Sequence, residues 1–155
     1  MTEIERILNQ LKRAYEGNAW HGPSVCEALE GVTAEHAHTR TLPHLHTIWE
    51  LAHHIAVWEN AVHRRLEGDR AQIALASPED WPPVSDQSEA AWEQAKAALD
   101  RGHRELCDAI SRVADSRLDE PILEGMSTVY VTLHGIIQHD LYHAGQISML
   151  KKARS

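Results

Sequence analysis

Apolar residues recur along this chain at helical intervals in four long segments, whereas strand-type alternation is scarce. In the first segment Ile4, Ile7, Leu8, Leu11 and Tyr15 form one stripe, Thr2 and Glu5 supply a T-x-x-E capping box, and Gly17 marks the end. Within "GNAWHGPSVCEALEGVT" the pair Gly22-Pro23 breaks the chain, and Ser24 to Leu29 reads as a short helix before Gly31. Thr41 to His46 reads as loop. Thr47 and Glu50 repeat the capping box ahead of Ile48, Leu51, Ile55, Trp58, Val62 and Leu66, a second long helix that Gly68 ends. Residues 69 to 85 hold Pro78, Pro82 and Pro83, a connection long enough to wall a binding site. A third helix opens at Asp86, with Glu89 three positions on, and carries Ala90, Trp92 or Glu93, Ala97, Leu99, Leu106 and Ile110 to about Val113. The fourth spans about Ser127 to Lys152, with Lys151, Lys152 and Arg154 where cations suit a helix C-terminus. The pattern predicts an all-α four-helix bundle, with residues 1–155 as a single domain.

Composition narrows the partners. The chain carries 23 acidic against 15 basic residues and no basic run longer than two, which argues against a nucleic acid. No apolar run approaches the ~18 residues that span a bilayer, and "MTEIERILNQLKR" lacks the apolar stretch of a signal peptide, so no membrane is expected and the cytoplasm is the expected location. Cys26 and Cys107 lie far apart without metal-type spacing, and both are expected to be buried thiols.

Histidine is the unusual residue, with 12 in 155 positions. At that density chance alone supplies roughly one pair at i,i+4, so spacing proves little without context. In "IIQHDLYHAGQIS" the context is apolar: Ile136, His139, His143, Ile147 and Leu150 form one stripe, flanked by Leu133, Ile137, Leu141 and Ala144. On the second long helix Leu51, His54 and Trp58 share that spacing, and His53 is rotated about 100° onto the flank. Three inward imidazoles each bring a donor and an acceptor that need partners, and one metal ion satisfies all three. His54, His139 and His143 are therefore the expected ligands of a single divalent metal, with coordination positions left open. A carboxylate-bridged di-iron site fits poorly, because Glu50-x-x-His53 is the one core-side Glu-x-x-His and Glu50 is a capping residue. "HDLYH" has the frame of a zinc hydrolase, but Asp140 replaces the usual Glu base and is one methylene shorter. His36, His38, His44, His46, His63 and His103 read as solvated, and nothing compels a ligand assignment for His21 or His134.

At these residues the sequence resembles the DinB-like (DinB and YfiT-like) superfamily of metal-binding four-helix bundles. The resemblance covers nearly the whole chain through "NAWHGPSVCEALEGVT", "HTIWELAHHIAVWE", "DWPPV" and "LHGIIQHDLYHAGQISMLKKA". The family's ligand on its second helix corresponds to His54, and its His-x-x-x-His pair to His139 and His143, with Gly145-Gln146 following. What the resemblance implies is one divalent ion, commonly zinc or nickel, and a homodimer. Some relatives are thiol-dependent: mycothiol-dependent maleylpyruvate isomerase and bacillithiol transferases.

Three functions follow for a small-molecule substrate. The first is a metal-dependent thiol S-transferase or isomerase with a low-molecular-weight thiol as co-substrate. The second is a metal-dependent hydrolase, and the third a non-enzymatic metal- or ligand-binding bundle. A carboxylate facing the open side of the ion favours the second, an open pocket lacking one favours the first, and a sealed site favours the third. No residue beyond the metal ligands is assigned a catalytic role. Loops "NAWHGPS" and "ASPEDWPPV", each with Trp and Pro, are the expected pocket walls.

Overall fold

The computed structural model describes residues 1–153; Arg154, expected beside the last helix turn, and Ser155 lie outside the described residues. Four long helices carry the fold: α1 (Glu3–Tyr15), α4 (Ile48–Leu66), α5 (Glu89–Ser111) and α6 (Val129–Ala153). Two short ones, α2 (Val25–Leu29) and α3 (Ala34–His38), lie between α1 and α4. Helix α4 packs against α5 and α6, and α1 packs against the same two, so α1 and α4 occupy opposite corners of the bundle. Among the described residues there is no strand, only an isolated bridge between Pro121 and Thr128 ahead of α6.

The helix starts follow the capping chemistry. Thr2 with Glu5, Ser24 with Glu27 and Thr47 with Glu50 all form reciprocal capping boxes. Glu50 is thereby committed, and it also takes Arg40 Nη2 at 2.7 Å. Helix α3 was not expected, and Thr33 starts it by accepting the His36 N–H at 3.2 Å. Helix α5 starts later than expected: Ser88 is its cap, and Asp86 instead accepts the Ser88 N–H at 2.9 Å in the preceding turn. Its inward residue is Trp92 rather than Glu93, and Ala90 and Ala97 are exposed. At the end of α4, Gly68 adopts φ 94°, a left-handed conformation that glycine takes without a Cβ penalty.

The core falls into two apolar halves. One gathers Trp49, Ile55, Trp92, Leu99 and Ile147, the other Ile7, Leu11, Leu106, Leu133 and Ile136. The same helical stripes pass through Glu59 between Ile55 and Val62, His103 between Leu99 and Leu106, and Asp140 between Ile136 and Ala144, and all three are buried. A polar layer therefore crosses the bundle between its two apolar halves. Because Leu133 has no exposed surface, Leu133→Ala should cost about 2–5 kcal/mol in urea unfolding, and a cost below about 1 kcal/mol would show this half to be loosely packed.

Candidate metal centre

Helix α4 delivers His54, and α6 delivers His139 and His143 one turn apart. One ligand-type nitrogen from each lies within 4.8 Å of the others, and His54 Nε2 and His139 Nε2 are 3.0 Å apart. Ligands bonded at about 2.0–2.1 Å and about 90–110° to one ion stand about 3.0–3.3 Å from each other, so that contact fits a shared metal. His54 and His143 are buried, while His139 is partly exposed.

The outer nitrogens of His54 and His143 have acceptors. His54 Nδ1 lies 2.9 Å from the Asp80 carbonyl and 3.1 Å from Asp80 Oδ1, and His143 Nδ1 lies 2.6 Å from Gln146 Oε1. Those partners place the hydrogen on Nδ1 and leave Nε2 as a lone pair facing the cluster. His139 Nδ1 has no hydrogen-bond partner among the described residues, and Asp140 Oδ1 stands 4.0 Å from it. Burial lowers the pKa of all three imidazoles, which keeps them in the neutral form a metal accepts. The three-imidazole donor set, with the tautomers of His54 and His143 fixed from outside, thus fits a divalent ion.

Asp80 reaches His54 from a loop built to present it. Its Oδ1 accepts the Trp58 indole N–H at 2.8 Å, and its Oδ2 accepts the Ala76 N–H at 2.9 Å. Ala76 has φ 59°, an unfavourable value for a side chain with a Cβ, so the turn relies on such contacts. The next residue, Trp81, stacks on His54 at 3.8 Å, and His46 stacks on Trp81 at 3.5 Å. A cavity of about 360 Å³ opens there, with His143 in its lining beside Trp81, Tyr142, Gln146, Leu51 and His46.

Several expectations need correction. "ASPEDWPPV" does wall the cavity, but "NAWHGPS" does not: Trp20 and His21 border a separate hollow over Ile137 and Leu141, and the opposing wall is Leu42 to His46. His46 is exposed as expected and also lines the site. His103 is not solvated but 1% exposed, with Nδ1 2.9 Å from Glu59 Oε1, Nε2 3.4 Å from Cys107 Sγ and Tyr15 stacked on it at 3.8 Å. Cys107 is buried as expected, whereas Cys26 is exposed because it points off the short helix α2. His36, His38 and His63 are half-buried and His44 is exposed. His53 accepts the Trp49 indole N–H at 3.0 Å, His134 lies against Tyr130, His21 is exposed, and none of them joins the cluster.

Fold and site together define a four-helix bundle with three convergent histidines between two of its long helices. The chain belongs to the DinB superfamily, whose family model matches residues 23–147. No curated protein and no solved structure matches the chain.

Behind the cluster lie the carboxyls of the polar layer. Burial pushes Glu59 from its ordinary 4.5 up to about 8, and burial together with the neighbouring Glu59 carboxyl holds Asp140 well above the usual range. The unfolded chain ionises Glu59 near 4.5 while the fold keeps it protonated to about 8, so its contribution is complete below the first value and lost as pH rises towards the second. Wild type should lose on the order of 1–4 kcal/mol more than Glu59→Gln between about pH 5 and pH 8 in urea titrations. Parallel pH profiles would show that Glu59 is ionised in the fold.

Proposed function

We propose that His54, His139 and His143 hold one divalent ion, zinc or nickel, through their Nε2 atoms, and that the protein is a thiol-dependent transferase or isomerase. When bound, such an ion supplies positive charge that lowers the pKa of a thiol and favours its nucleophilic form. The observation that carries this reading is the placement of acids. Asp80 and Asp140 both lie on the Nδ1 side of their imidazoles, and no Asp or Glu lines the cavity next to His143. A hydrolase needs a base facing the open side, whereas a thiol arrives as its own nucleophile. The cavity also argues against a sealed, purely structural site.

The chain's own residues then have distinct tasks. Asp80 and Gln146 fix the tautomers and ring planes of His54 and His143. Trp81, Leu51 and Tyr142 offer an apolar wall to the acceptor molecule and keep water from the cluster. His46 stacks on Trp81 and holds that wall in place.

Gln146→Leu should weaken zinc affinity by about 10–100-fold while leaving the fold intact, as read by competition with a chelating dye. Unchanged affinity would remove Gln146 from the site. Cobalt-loaded protein titrated with bacillithiol, mycothiol, glutathione and cysteine should gain sulfur-to-metal charge-transfer absorption with at least one, and His143→Ala should not. Silence towards every thiol at millimolar concentration, with a response to a hydroxamate, would replace this reading with the hydrolase.

A further inference from the structure

A second hollow meets the histidine cluster from the other side. It follows the groove between the C-terminal half of α4 and the start of α6, encloses about 250 Å³, and has His139 in its lining at the cluster end. Trp58 is shared between hollow and cluster, its ring 6.1 Å from that of His139. The other end is lined by Arg65 and Ser127, with Val62, Thr132 and Gly135 among the residues between.

Arg65 is the unusual member. Its guanidinium carbon lies 5.8 Å from the Trp58 ring centre, one Nη donates to the Ala71 carbonyl at 3.0 Å, and the buried Nε has no hydrogen-bond partner. It forms no ion pair among the described residues, although the chain carries 23 acidic side chains, and no Asp or Glu lines the hollow. A half-buried guanidinium without a carboxylate has given up hydration without gaining the planar, two-pronged partner that suits it best. At Gly135 a Cβ would meet nothing within 4 Å, so the groove floor has spare room beside the cation.

We infer that this groove is a carboxylate subsite, with Arg65 as the anchor, for a thiol whose carboxylate lies several bonds from its sulfur. The inference rests on the thiol reading of the metal site. The sulfur end approaches the cluster past His139, and the carboxylate end meets the guanidinium on the far side of Trp58. The apolar cavity at His143 is then left for the acceptor, so the two reactants enter from opposite sides. Length is part of the claim, because an intervening indole separates Arg65 from the cluster and a two-carbon mercapto acid does not reach around it.

The test is a ruler of thiols on cobalt-loaded protein, read by charge-transfer absorption: mercaptohexanoate against mercaptohexanol, and mercaptoacetate against mercaptoethanol. The six-carbon acid should bind about tenfold more tightly than its alcohol, and the two-carbon pair should differ little. Arg65→Gln should erase the six-carbon preference and Arg65→Lys should retain part of it. Gly135→Leu should weaken both six-carbon thiols and spare the short pair. Equal binding of the six-carbon acid and alcohol to wild type, or a preference that survives Arg65→Gln, overturns the subsite.

A second arm separates this claim from the thiol reading. Hexanoate is titrated into wild type without thiol while the Arg65 Nε–H resonance, assigned by its loss in Arg65→Lys, is followed. If no thiol alters the cobalt spectrum but hexanoate shifts that resonance, the thiol reading fails and the carboxylate subsite stands. If hexanoate leaves it unmoved, the subsite falls whatever the thiols do.

Discussion

A buried imidazole needs a partner on both of its nitrogens, and the architecture around the site follows from that demand, which the protein meets on the outer side for His54 and His143. On the outer side the partners come from the protein, as the Asp80 loop against His54 and Gln146 against His143. On the inner side His54 Nε2 and His139 Nε2 stand 3.0 Å apart, a spacing that a shared positive centre fits. The position of the 69–85 connection follows. Its strained turn at Ala76 is held by the Asp80 carboxylate, whose other oxygen ties it to Trp58 and sits 3.1 Å from the His54 ring.

The polar layer through Glu59, His103 and Asp140 meets the same demand only in part, since Glu59 Oε2 and both Asp140 carboxyl oxygens have no hydrogen-bond partner among the described residues. His103 Nδ1 lies 2.9 Å from Glu59 Oε1, and its Nε2 faces Cys107 Sγ at 3.4 Å and Glu16 Oε1 at 3.8 Å. Burying such groups sacrifices hydration that a Leu or Val core would not have to replace. The Glu59–His103 contact joins α4 to α5, and Asp140 of α6 is buried beside Glu59. Helix register sets how His54 meets His139 and His143.

Much of this was legible in the sequence because it is periodic. Capping boxes at Thr2 and Thr47 located two helices, and the apolar stripes of α4 and α6 turned His54, His139 and His143 towards one another. The polar layer was legible in principle too, because Glu59 continues the spacing from Ile55 to Val62 and His103 that from Leu99 to Leu106. Neither reads as core from the sequence alone, because a charged or titratable residue on a stripe looks like an interruption until its partner on another helix is known. The loops were not legible. No helical period governs where Trp81 or His46 ends up, since the path of a loop is set by tertiary contacts such as the stack of His46 on Trp81 and of Trp81 on His54.

The account depends most on three Nε2 atoms sharing one ion. X-ray absorption at the metal edge of protein loaded with zinc or nickel reads that directly. The account predicts a first shell containing about three nitrogen scatterers at about 2.0–2.1 Å with the outer-shell pattern of imidazole, reduced by one imidazole in each of His54→Ala, His139→Ala and His143→Ala. A first shell dominated by oxygen or by cysteine sulfur, or one that none of the three substitutions alters, would contradict it.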